Sequence, residues 1–156
     1  MPEKHQKEKG LFNTPENIDV FTLNSENLDL HRIRNFVREL PPINISIASL
    51  ETQVREQLWD DESEKEDSCS PASLIDEYKR LSNNLSAVLV EHPSWADRIK
   101  RIQEADYSHP ILIYKGVIID GLHRILHAFI DKQETISAHV FKKLPSDLYS
   151  THTFSQ

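Results

Sequence analysis

Apolar residues in this chain fall into short runs with two distinct periods. "NLDLHRIRNFVREL" (27–40) spaces Leu30, Ile33, Val37 and Leu40 at helical intervals and predicts an amphipathic helix. Pro41-Pro42 ends it, because a proline disfavours helical dihedrals in the residue before it. "INISI" (43–47) then alternates, with Ile43, Ile45 and Ile47 on one face of a half-buried strand. Leu50, Val54 and Leu58, four apart, predict a helix packed on that strand. Ser70-Pro71 reads as an N-cap followed by proline at the first helical position, opening a helix with Leu74, Ile75, Tyr78, Leu81 and Leu85 on one stripe. Ser94, with Asp97 three residues on, predicts a capped helix over "WADRIKRIQEA". "PILIY" (110–114) and "VII" (117–119) are rich in β-branched residues and flank Lys115-Gly116, a two-residue hairpin signal. "LHRILHAFIDK" (122–132) returns to helical spacing, and "TISAHVF" (135–141) alternates as a closing strand.

The order of these elements predicts an α+β fold with a small mixed sheet and flanking helices. Its main body is a single domain over 27–145, behind a polar N-terminal arm (1–26) and ahead of a polar tail (146–156). Within it, "DDESEKEDSCS" (60–70) carries six acids against one lysine and predicts a solvated loop.

Composition narrows the function classes. The chain has 156 residues, of which 38% are hydrophobic, and a net charge of −7, which argues against a broad grip on nucleic acid. One cysteine, Cys69, excludes a disulfide framework and a four-cysteine zinc site. No apolar run is long enough to span a bilayer, and "MPEKHQKEKG" lacks the apolar region of a secretory signal, so a cytoplasmic protein is expected.

The densest chemistry lies in "IDGLHR" (119–124), where one of only three glycines interrupts the most apolar stretch. A strand meets a helix here, and the first backbone N–H groups of that helix lack intrahelical partners, which favours an anion. Glycine permits a sharp turn and close approach, and Arg124 offers a fork to phosphate or carboxylate. His123 and Arg124 in the first turn oppose the helix dipole unless an anion joins them. The spacing leaves a plainer alternative open: Asp120 caps the helix or pairs with Arg124, and Gly121 is only a turn.

"PILIYKGVIIDGLHRILHAFIDKQETISAHVF" resembles the core of the ParB/sulfiredoxin superfamily over residues 108–141, and "LPPINISIASLETQ" (40–53) is similar to that family's first strand and helix. On this alignment residues 71–104 are a helical insertion. In that superfamily the loop binds nucleotide phosphates, CTP in ParB proteins and ATP in sulfiredoxins and free-serine kinases. The resemblance therefore implies a phosphate cradle at Gly121, Leu122, His123 and Arg124, with Asp120 organising Mg²⁺ or an acceptor hydroxyl. Asp120, His123 and Arg124 would be the catalytic set of a small-molecule kinase or NTPase, with ATP preferred to CTP. Departures from the family narrow this further. Leu122 stands where sulfiredoxins carry their nucleophilic cysteine, and His123 replaces the glutamate of the ParB-type G-E-R-R loop. The chain runs only about fifteen residues past its last predicted strand, so the helix-turn-helix of ParB proteins, and centromere binding, are not expected. The loop is closest to the D-G-H-H-R of the serine kinases, whose catalytic glutamate has Glu39 and Glu51 as candidate counterparts. "HPSWADRIKRIQEADYSHPILI" is similar to a stretch before the hairpin in some bacterial members and brings in His92 and Asp106.

Competing readings concern the remaining residues. His123 and His127, four apart, would suit a metal, but H-E-x-x-H is absent, and His127 is expected to line the same pocket or to pack structurally. Arg98 and Arg101 are expected on a solvated helix face, and Trp59 and Trp95 in the core or its rim. A catalytically silent module that binds a protein partner through the N-terminal helix or the acidic loop is the main alternative function; a nuclease is disfavoured by the acidic charge.

Overall fold

The structure is a computed structural model and describes residues 7–9, 19–23, 26–57, 59 and 69–145. It has the expected α+β architecture, with a four-stranded mixed sheet at its centre. The first segment forms β1 (Lys7–Lys9), β2 (Asp19–Leu23) and β3 (Glu26–Asp29), an antiparallel sheet in that order, followed by α1 (Leu30–Val37). β4 (Ile43–Ser46) runs directly into α2 (Ile47–Glu56). Helices α3 (Pro71–Arg80) and α4 (Leu85–Glu91) come next, then a 3-10 turn (Pro93–Trp95) and α5 (Ala96–Glu104). The hairpin β5 (Ile111–Tyr114) and β6 (Val117–Asp120), helix α6 (Leu122–Ile130) and strand β7 (Thr135–Phe141) complete the order.

The central sheet has the order β4-β7-β5-β6; β5 and β7 are parallel and the other pairs antiparallel. Alternation along its strands gives two apolar faces. Ile111, Ile113, Ile118, Ile136 and Ala138 pack beneath α2, α3, α5 and α6. Leu112, Tyr114 and Ile119 point the other way, against Phe21, Leu23 and Leu28 of the β2–β3 hairpin and Leu30, Ile33 and Val37 of α1. β5 is buried at all four positions, as expected for a central strand covered on both sides.

Several elements depart from the sequence reading. Residues 26–29 form a strand rather than the first turn of the 27–40 helix, because Asp29 caps α1 by accepting from the Arg32 N–H (3.1 Å). Leu40 lies beyond that helix and is exposed. β2 lies within the polar arm, yet its Phe21 and Leu23 are buried. β4 is an edge strand with Ile43 exposed, and Ile47 belongs to the next helix. The stripe from Leu74 to Leu85 spans two helices: Ser82 and Asn83 adopt left-handed dihedrals, and Asn84 caps α4 through the Ala87 N–H (3.1 Å). Ser94 sits inside the 3-10 turn, and Trp95 occupies the N-cap position of α5 without a side-chain bond. The Ser70 cap is present, with Ser73 completing a reciprocal box. The 115–116 turn also forms as expected, with positive φ at both residues. Leu58, residues 60–68 of the acidic loop and the 146–156 tail lie outside the described residues.

Candidate functional site

Gly121 makes the junction between β6 and α6 with φ 113°, a left-handed dihedral open mainly to glycine. A Cβ there would lie 2.5 Å from Cγ2 of Ile111 and 3.2 Å from a guanidinium nitrogen of Arg124, so the position excludes a side chain twice over. Asp120 does not cap α6; its carboxylate instead lies between two arginines. Arg34 Nε of α1 donates to Asp120 Oδ2 at 2.9 Å, and Arg124 Nη2 donates to the same oxygen at 3.0 Å. The Asp120 side chain is 8% exposed, against 39% for Arg34 and 19% for Arg124. Arg124 also donates through Nη1 to the carbonyls of Pro110 (2.7 Å) and His109 (3.2 Å). It therefore clamps the chain entering β5 to the chain leaving β6; the Asp120–Arg124 pair of the plainer alternative is present, its helix cap is not.

This junction floors a cleft of about 1080 Å³ that opens between α1, α5 and the α2 exit. Five of the chain's eight arginines line it: Arg34, Arg38, Arg98, Arg101 and Arg124. Against them stand two carboxylates, Asp106 and Asp120; no lysine and no glutamate lines it among the described residues. Arg34 and Arg38 are four apart on α1, and Arg98 and Arg101 three apart on α5, so each pair shares a helix face. Arg38 donates to Asn35 Oδ1 (2.8 Å), a neutral partner, and Arg101 has no carboxylate partner among the described residues. A cleft with this surplus of guanidinium focuses positive potential in a chain that is acidic overall.

His123 faces the same space. Arg98 Nη1 lies 3.2 Å from His123 Nε2, and since a guanidinium can only donate, that nitrogen accepts. The Arg98 guanidinium also lies 4.3 Å from the centre of the Trp59 ring, with which the His123 ring stacks at 5.4 Å and 25°. Trp59 thus supports both groups. Asp106 sits at the rim, where the Ser108 hydroxyl (2.6 Å) and N–H (3.0 Å) hold its carboxyl below the usual range. His139 of β7 also lines the cleft, and burial pushes its imidazole below its ordinary value.

Other residues singled out from the sequence lie elsewhere. His127 Nδ1 bonds the Ala105 carbonyl (2.7 Å), its Nε2 lies 3.3 Å from Asp131, and its ring meets Tyr107 edge-on; it is not paired with His123 around a metal position. His92 stacks on Trp95 at 3.8 Å and bonds Glu77 (2.7 Å), away from the cleft. Lys79 and Arg55 (both 3.2 Å) donate to Glu51 and hold its carboxyl below the usual range, the Lys79 hydrogen bond foremost, and Glu51 lines a separate groove between α2, α3 and α6. Glu39 is exposed just past α1 and does not line the cleft.

Magnesium at Asp120 fits poorly, because a divalent cation there would face two guanidiniums already bonded to the same oxygen. Arg34, Arg38, Arg98 and Arg101 are the residues that the sequence reading passed over or assigned to solvent. The available signal was their pairing at helical spacing, but nothing local brings residues 34–38 to residues 98–101. Among the described residues no helix is long and apolar enough to cross a membrane. Comparison with protein-family models, curated proteins and solved structures finds no match to this chain.

Proposed function

We propose that this chain binds a phosphorylated small molecule, a nucleoside triphosphate foremost, in the cleft above the 120–124 junction. The observation that carries the reading is the concentration of five of eight arginines in one cleft of an acidic chain. Guanidinium is the side chain whose planar fork matches phosphate oxygens and which stays charged at any working pH. Arg98 and Arg101 on one wall and Arg38 on the other supply the phosphate contacts, with His123 beside Arg98. Arg124 and Asp120 hold the junction in shape, and Arg34 ties α1 to it. The resemblance of residues 108–141 to the ParB/sulfiredoxin core supports the same ligand class.

Binding is favoured over phosphoryl transfer because Asp120, the one carboxylate at the junction, is bonded to two arginines and so is poorly placed as a base or metal ligand. A second reading, a catalytically silent interaction module, is favoured by the exposed Leu40, Ile43 and Val140 on and beside the β4 edge.

Calorimetric titration with nucleoside triphosphates and inorganic tripolyphosphate tests the proposal. Binding should persist in excess chelator, weaken as salt rises, and fall at least about tenfold in Arg98→Ala, the scale of one lost charge-assisted contact. Absence of binding by every phosphorylated ligand, in a protein that melts cooperatively, would remove the reading. If ATP binds and is consumed only when a small alcohol is added, the site is a kinase after all.

A further inference from the structure

Most polar side chains of the cleft are held by protein partners, but the segment leaving α2 differs. Gln57 is 9% exposed, one of only two buried polar residues among those described, and it lines the cleft. Its backbone N–H closes α2 on the Val54 carbonyl (3.1 Å), yet its side-chain amide has no hydrogen-bond partner among the described residues. Two residues on, Trp59 is 8% exposed, also lines the cleft, and its indole N–H likewise has no acceptor. Gln57 leaves α2 in an extended conformation (φ −77°, ψ 153°), and both residues line the cleft. The indole N–H is buried without a partner, and the Gln57 amide lines the cleft without one, so a ligand seated there can supply both with hydrogen bonds.

We infer that Gln57 is the specificity-determining residue of this cleft: its amide pairs with a neutral donor–acceptor edge on the ligand, the edge that a nucleobase presents. The inference rests on the phosphate-binding reading and adds what the arginines cannot supply. Guanidiniums recognise charge and bind any polyphosphate, whereas one carbonyl and one NH₂ group side by side match an adjacent donor and acceptor in a plane. The wall behind the amide suits a flat group, because Trp59 fixes the Arg98 guanidinium over its ring and holds His123 against it. The phosphates then lie toward Arg98 and Arg101, and the neutral part of the ligand toward the exit of α2.

The test compares ATP, CTP, GTP and UTP with inorganic tripolyphosphate on the full chain by calorimetry, in wild type, Gln57→Leu, Gln57→Glu and Arg98→Ala. At least one nucleotide should bind wild type about tenfold or more tighter than tripolyphosphate, the discrimination expected of one bidentate pair. Gln57→Leu should erase that preference while leaving the tripolyphosphate affinity unchanged; Arg98→Ala should weaken both ligands alike. Gln57→Glu keeps the shape and the fold but offers only acceptors, so it should change the ranking of the four bases. Equal affinity of wild type for tripolyphosphate and all nucleotides, or a nucleotide preference that survives both Gln57 variants, overturns the role of Gln57 while sparing the phosphate site. Failure of tripolyphosphate and every nucleotide to bind overturns both.

Discussion

Two clusters of arginine and carboxylate are built to opposite charge ratios. Between α3 and α4, Arg80 is shared by Glu77 and Glu91, with His92 closing on Glu77 at 2.7 Å. At the β6–α6 junction, one aspartate is shared by two arginines, and Arg38 and Arg101 of the same cleft have no carboxylate partner among the described residues. The first cluster satisfies its cation with excess acid on an accessible surface, where Arg80 is 52% exposed. Solvent screens such a group, and it contributes little to holding the fold. The second places its acid at 8% exposure and leaves positive charge over. A cation surplus around a buried carboxylate has a cost unless an anion arrives, so the contrast separates a surface ornament from a candidate site by charge ratio and burial together.

Removing the shared carboxylate in each cluster is the strongest way to break the comparison. Asp120→Asn should lower stability by about 3 kcal/mol, since it leaves the mostly buried Arg124 beside a neutral partner. The same substitution should tighten tripolyphosphate binding, because the arginines lose their internal competitor. Glu77→Gln should move the urea midpoint far less and leave anion binding as it was. Equal destabilisation by the two variants would erase the distinction drawn between them. Gly121→Ala comes next, at about 2 kcal/mol, from a left-handed dihedral and a methyl group driven into Ile111. Gly116→Ala provides its control: φ is also positive there, but nothing lies within 4 Å of the added carbon, so the smaller loss measures the dihedral alone.

How much of this could be read from the sequence follows from the range of each interaction. The β5–β6 hairpin, its turn, α6 and β7 were legible because β-branched runs, a Lys-Gly pair and Gly121 act within a few residues of one another. The break between α3 and α4 was hidden, because Leu74 to Leu85 keep one apolar stripe on both sides of it and only the dihedrals of Ser82 and Asn83 mark the turn. β2 and β3 escaped because "DVFTL" and "ENLD" are short and set in polar surroundings; their apolar positions make sense only once Leu112, Tyr114 and Ile119 cover them. At the site, Gly121 was legible as a glycine-requiring turn, and the reason includes a neighbour, Ile111, ten residues earlier. The arginines were not. Arg34 reaches Asp120 across 86 residues of chain, and amphipathic spacing gives Arg98 and Arg101 the same pattern as any solvated face.

Acid titration sharpens the comparison with the smallest effects, and its two windows open at different pH. His139, in the cleft, is buried without a carboxylate partner, so its folded-state pKa lies below the ordinary value near 6.5. The unfolded chain then binds the proton more readily. Stability from this residue is therefore complete above about pH 6.5 and declines as pH falls below it, until the folded protein is protonated as well. Glu77 runs through a lower range. The Arg80 guanidinium, and after it the His92 ring, hold its carboxyl at about 2, so its contribution is present above about pH 4.5 and is lost as pH falls toward 2. Urea midpoints measured from pH 8 to pH 2 should show a decline that sets in below about pH 6.5 and a second that sets in below about pH 4.5. His139→Gln should flatten the upper decline and Glu77→Gln the lower, each without touching the other. A saturating polyanion should add to stability throughout the upper window, because an occupied arginine cleft is linked to the folded state alone. If it deepens the lower decline instead, the anion is bound at the α3–α4 cluster, and the assignment of charge surplus to the cleft is wrong.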